Sequence, residues 1–191
     1  MISRINYKHN IKLYDKLYYS KMINGQSVDY VSGMHYGLCR MSFNGCEVIA
    51  VHNALVYLKK PLPIYEISYY MEKFRLLTGI FGCNPYRIGR ALKHFGIDYR
   101  RSGQIGNSEI FILSFWTGKR FLSSIHTVFC VRRNDDIIVY NMYNNYPKEK
   151  IYQNSFVIAE QKKIIVVYNI KRSVTNGKLS WRMYCTGMFR P

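Results

Sequence analysis

Residues 44–58, Asn-Gly-Cys-Glu-Val-Ile-Ala-Val-His-Asn-Ala-Leu-Val-Tyr-Leu, constrain the fold more than any other stretch of the chain. Apolar side chains at positions 48, 49, 50, 51, 54, 55, 56 and 58 fall on nearly every side of a helix. A helix apolar all round is a buried one, so this segment is expected to be the central helix of a domain. Asn44 reads as its N-cap, and Glu47, three residues on, as the partner in a capping box. The helix should stop before Lys59-Lys60-Pro61-Leu62-Pro63, because basic residues suit a helix C-terminus and proline cannot continue one. Cys46 falls in the first turn, where the helix dipole favours thiolate over thiol. An isolated cysteine there is ordinarily a small core residue, so any chemistry at Cys46 depends on partners elsewhere.

The chain has 191 residues, 48% of them apolar and 20% charged. That suits one globular domain over residues 1–191, with residues 1–38 as a wrapping N-terminal segment. No apolar run approaches the ~18 residues of a membrane span, and residues 1–12 lack the apolar core of a secretory signal. The cysteines, at 39, 46, 83, 130 and 185, are odd in number and form no CxxC pair. Neither a disulfide framework nor a zinc site is suggested. No cofactor or metal is expected, and a reducing, cytoplasmic location fits. The formal charge of +17 raises the possibility of a nucleic-acid or acidic partner. The basic residues are scattered, however, clustering only in pairs such as Arg100-Arg101 and Arg132-Arg133.

Along the chain, residues 11–22 read as a short helix with Leu13, Leu17 and Tyr18 on one side. Residues 64–77 have Ile67, Met71 and Phe74 at helical spacing. A glycine-punctuated loop, 78–83, leads to Asn84-Pro85, an N-cap followed by proline at N1. Ile88, Ala91, Leu92 and Phe95 line the helix that follows, and Gly96 closes it. The period then changes. Residues 97–101, 109–116, 125–132, 137–142 and 164–170 read as strands, with a turn at Arg133-Asn134-Asp135-Asp136; residues 181–188 are a further strand candidate. Helices first and strands later argue an α+β fold, its N-terminal helices packed on a C-terminal antiparallel sheet.

Of the histidines at 9, 35, 52, 94 and 126, only His126 is placed for chemistry with Cys46. His52 lies six residues after Cys46, about 240° around the helix, and points elsewhere. His126 opens a strand, and Asn141 lies in the next one. A two-residue loop at Asn134-Asp135 makes paired residue numbers sum to 269, one at Arg133-Asn134 to 267. Either puts His126 and Asn141 on one face as direct or diagonal neighbours. A thiol nucleophile needs a base, and the base needs a third group to aim it. The attacked carbonyl oxygen needs donors, for which the Cys46 N–H at the helix start is a natural choice. Cys46, His126 and Asn141, in that order, therefore form the candidate catalytic set.

Three segments carry a resemblance: 44–55 around Cys46; Phe81-Gly82-Cys83-Asn84-Pro85 with the helix it starts; and 111–116, 125–128 and 139–141. Over about residues 36–145 the chain resembles the papain-like cysteine peptidases, nearest the small bacterial branch that includes the double-glycine leader peptidases of bacteriocin transporters. The resemblance implies Cys46 as nucleophile, His126 as general base and then acid, and Asn141 as orienter. It also implies a peptide or amide substrate cleaved or transferred through an acyl-enzyme. Two positions depart from the family's pattern. Arg40 stands where the family usually places an oxyanion-binding glutamine, leaving Arg40 or Asn44 as candidate donors. Glu47 stands where close relatives tend to have glycine, and a carboxylate there opposes thiolate formation. A catalytically silent binding protein on this fold, or a basic nucleic-acid-binding domain, is the alternative.

Overall fold

The computed structural model describes residues 2–14, 16, 19–118 and 124–171. The strand candidate at 181–188 and the side chains of Leu17 and Tyr18 lie outside the described residues. The architecture is α+β. The helices α1 (Ile2–Leu13), α2 (Met41–Asn44), α3 (Cys46–Tyr57), α4 (Ile64–Met71) and α5 (Ile88–His94) precede most of the strands. A two-stranded hairpin, β1 (His35–Tyr36) and β2 (Cys39–Arg40), leads into α2. The strands β3 (Tyr99–Ser102), β4 (Ile110–Trp116), β5 (Ile125–Arg133), β6 (Asp136–Tyr140), β7 (Lys150–Tyr152) and β8 (Lys163–Ile170) form one sheet in the order β3-β8-β4-β5-β6-β7. Every neighbouring pair in it is antiparallel. Between β7 and β8 lies α6 (Ser155–Gln161), started by Asn154, whose side chain accepts from the Val157 N–H.

The central helix is buried as its composition demands. Every residue of α3 from Cys46 to Leu55 is buried, and Tyr57 meets Phe129 of β5 with ring centroids 5.8 Å apart. Because strand side chains alternate between faces, β5 supplies Phe129 and Val131 to the core under α3. It sends Val128 and Cys130 to a second core on the outer face, with Phe111, Phe115 and Ile158.

The N-terminal segment is attached by polar contacts. In α1 the two buried side chains are Asn6 and Asn10, four apart and so on one face. Asn6 donates to the Gly37 carbonyl at 2.7 Å and to Glu72 Oε1 at 2.6 Å. Asn10 donates to the His35 carbonyl at 2.9 Å and accepts from its N–H at 2.8 Å. The helix expected over 11–22 is therefore corrected to Ile2–Leu13: amides do the anchoring, and they leave no apolar period.

Two helix boundaries also differ from expectation. The helix expected over 64–77 ends at Met71 and passes through a 3-10 turn, Glu72–Phe74. Loop 75–83 is closed by Leu76 N–H to Gly82 carbonyl and Asn84 N–H to Phe74 carbonyl, both 2.9 Å. Asn84 does cap the following turn, accepting from the Tyr86 N–H at 3.0 Å. Asn44, however, is the last residue of α2, and the N-cap of α3 is Gly45, with no side-chain capping bond. The expected capping box is absent. The Asn44 amide donates instead to the Tyr36 carbonyl at 2.8 Å and the Gly79 carbonyl at 2.5 Å.

Candidate functional site

Three pieces of chain converge at the N-terminus of α3: the helix start, loop 75–83, and the beginning of β5. Cys46 is 5% exposed and Glu47 2%. The Cys46 thiol donates to Glu47 Oε2 at 3.3 Å. Gly82 makes room for this carboxylate: a Cβ there would sit 3.1 Å and 3.3 Å from its two oxygens, and its φ of +67° is itself a conformation L side chains rarely adopt. The Cys83 N–H also acts on the Glu47 carboxylate.

Burial raises the Glu47 carboxyl from 4.5 to about 7, against the opposing pull of nearby N–H groups and the Cys46 thiol. Burial, and then the charge of Glu47, push the Cys46 thiol well above its ordinary value. The Thr127 N–H favours the ionised sulfur and offsets part of that. The sulfur thus lies against the backbone of β5 one residue from His126.

That approach is open because β6 stops pairing with β5 at Phe129↔Tyr140. The observed register, Arg133↔Asp136, is the one that sums to 269. Asn141, at φ +60°, turns the chain out of the sheet, and its carbonyl faces the His126 ring with Nε2 at 2.7 Å. A carbonyl only accepts, so Nε2 carries the proton and the Nδ1 lone pair of the neutral ring is the basic one. Burial lowers the His126 pKa below its usual value; the Asn141 carbonyl opposes this and the Lys162 charge adds to it. His126 points to the outer face, edge-on to Phe115, its cross-strand partner, at 5.8 Å.

The structure thus brings Cys46 to the strand that bears His126, and His126 to Asn141. Among the described residues no hydrogen bond joins the thiol to the ring. The orienting contact also differs from the one expected: the Asn141 backbone carbonyl holds the ring. Its side chain accepts from the Gln26 N–H and donates to Gln26 Oε1, both at 3.1 Å, while its N–H donates to Asn24 Oδ1 at 2.7 Å. No sequence spacing could have revealed Asn24 and Gln26, which come from more than a hundred residues away.

Of the oxyanion candidates, Asn44 has its amide donors engaged as above, with Oδ1 buried and unpartnered. Arg40 is exposed on β2 opposite His35, whose pKa is lowered by burial first and then by the His9 and Arg40 charges. Neither is aimed at the thiol by any described contact. The remaining histidines are accounted for structurally. His52 Nε2 contacts the Lys21 carbonyl at 3.1 Å, His9 Nε2 the Gly33 carbonyl at 3.1 Å, and His94 stacks on Tyr70 at 3.7 Å.

On the α3 side of the sheet, an open cleft of about 400 Å³ is lined by Leu76, Asn84, Tyr86, Trp116, Ile125 and Ile164 among others. None of Cys46, Glu47, His126 and Asn141 lines this cleft. Among the described residues no three His, Cys, Asp or Glu side chains gather as a metal-ligand set, and no helix is long and apolar enough to cross a membrane. Comparison of the chain with protein-family models, curated proteins and solved structures gives no match.

Proposed function

We propose that this protein is a papain-like cysteine hydrolase or acyltransferase acting on a peptide or amide bond, with Cys46 as nucleophile, His126 as general base and then acid, and Asn141 as its orienter. One observation carries the reading. A cysteine heading a buried helix lies against the Thr127 N–H, next in the chain to a histidine whose tautomer is fixed by the Asn141 carbonyl. A nucleophile at a helix N-terminus, a base and a third group holding that base are what acyl transfer through a thioester needs; the His126 ring lies on the outer face of β5, so the reading requires it to turn toward the thiol when substrate binds. Contacts between nucleophile and base are commonly looser without substrate than with it.

The test is covalent labelling by a peptide bearing a thiol-reactive electrophile. Wild type is expected to be modified at Cys46, and Cys46→Ala not to be. A second reading has its own support, since burial and Glu47 both hold the thiol protonated. On that reading the fold is a catalytically silent binding protein, and the labelling experiment gives no adduct at Cys46.

A further inference from the structure

We infer that the Glu47 carboxylate accepts the Cys46 proton in the acylation step, leaving His126 to activate the water that follows. The inference rests on Cys46 being the nucleophile. Its basis is the thiol's hydrogen bond, which runs to Glu47 Oε2 at 3.3 Å, while the His126 ring is bonded to the Asn141 carbonyl. Both partners of the thiol–carboxylate contact are buried, so bulk water does not compete for the proton. The carboxylate is not consumed by helix capping, because the N-cap of α3 is Gly45 and no side-chain capping bond forms.

The groups acting on it include its own backbone N–H and the Cys46 thiol on α3, the Cys83 N–H and thiol on the loop, and the Tyr36 hydroxyl on β1; none of these is a cation. A buried acid without a neutralising partner weakens the fold, and here it is pressed against the atom that reacts. Its carboxyl is held near neutrality, where a general base is most effective.

The proton and electron movements balance. As sulfur bonds to the acyl carbon, the thiol proton passes to Glu47 Oε2 and the carbonyl π pair moves to oxygen. When the tetrahedral adduct collapses, the C–N bond breaks and the leaving amine takes the proton from Glu47. Water then attacks the thioester and gives a proton to His126 Nδ1. The C–S bond breaks, and sulfur recovers that proton from the imidazolium.

The rival view of Glu47 is pure charge repulsion, which suppresses the thiolate, and the two views predict opposite signs. The experiment is the pH dependence of Cys46 alkylation by iodoacetamide in the full chain, read by mass mapping of the Cys46 peptide, for wild type, Glu47→Gln, Glu47→Asp and His126→Gln. In wild type and His126→Gln the rate should rise through pH about 7, where Glu47 ionises. In Glu47→Gln that rise should vanish, with a rate about 100-fold lower at pH 8. Glu47→Asp keeps the charge but withdraws the oxygen by one methylene, and should be slow as well. It also decides the matter if circular dichroism finds Glu47→Gln unfolded. A Glu47→Gln protein that alkylates as fast as wild type or faster, or a Glu47→Asp protein with the wild-type profile, overturns the inference. Failure of the hydrolase reading looks different: iodoacetamide still modifies Cys46, but the peptide electrophile does not.

Discussion

Replacing Glu47 with glutamine should change how stability depends on pH, by an amount that follows from the site. The carboxyl is buried, and its pKa in the folded chain is about 7 against 4.5 when exposed. At about 1.4 kcal/mol per pKa unit, keeping it ionised in the folded state costs about 3 kcal/mol. The sign follows from proton counting. Between the two values the folded state binds more protons than the unfolded one, so stability is full below pH about 4.5 and declines as pH rises to about 7. The glutamine amide is neutral throughout and retains an oxygen for the Cys83 N–H. Wild type should therefore lose about 3 kcal/mol relative to Glu47→Gln over that interval.

The comparison must be a difference between the two proteins, because His52 works in the opposite direction. Burial lowers its pKa from 6.5 to about 4, so the folded state binds fewer protons there and stability rises with pH. The wild-type profile alone therefore does not isolate the Glu47 contribution. Urea denaturation at closely spaced pH values, fitted for both proteins, isolates the Glu47 contribution. A stability difference that does not vary with pH would refute the placement of a buried, uncompensated carboxyl beside Cys46.

Two further predictions concern the supports of the site. Asn141→Ala leaves both Gln26 groups without their partners and forces alanine to φ +60°. Urea unfolding should register a loss of about 3 kcal/mol, combining buried unpaired groups with backbone strain. Asn141→Gly keeps that φ without strain and should lose about 1 kcal/mol less; equal losses would mean that strain contributes nothing. In His52→Gln the fall in stability as pH drops from 6.5 toward about 4 should shrink by about 3 kcal/mol. Acid unfolding curves check this, and an unchanged acid limb counts against a neutral buried His52.

The parts legible in the sequence are those with a strong local period or a decisive turn. The α3 segment has no polar face and is buried. β4 and β8 are largely apolar runs and lie in the middle of the sheet beside β5. The β5–β6 register was set by turn residues, with Asn134 at φ +56°. What escaped was decided by distant partners. Asn44 has an N-cap's chemistry, but the Tyr36 and Gly79 carbonyls compete for its amide and Gly45 takes the cap. With no capping bond to hold it, Glu47 turns to the thiol. His126 and Asn141 are neighbours as their register implied, yet the amide side chain is drawn to Gln26 and the carbonyl is left to hold the ring. β7 and α6 are short, and α1 is anchored by amides, so none of the three carries a period that distinguishes it from loop.

The most direct test of the account is intact-mass and peptide-map analysis of the full chain after exposure to a peptide electrophile. With cysteines at 39, 46, 83, 130 and 185, a single adduct is predicted, on Cys46, that Cys46→Ala abolishes and Glu47→Gln slows. Modification spread over the other cysteines with Cys46 untouched would contradict it.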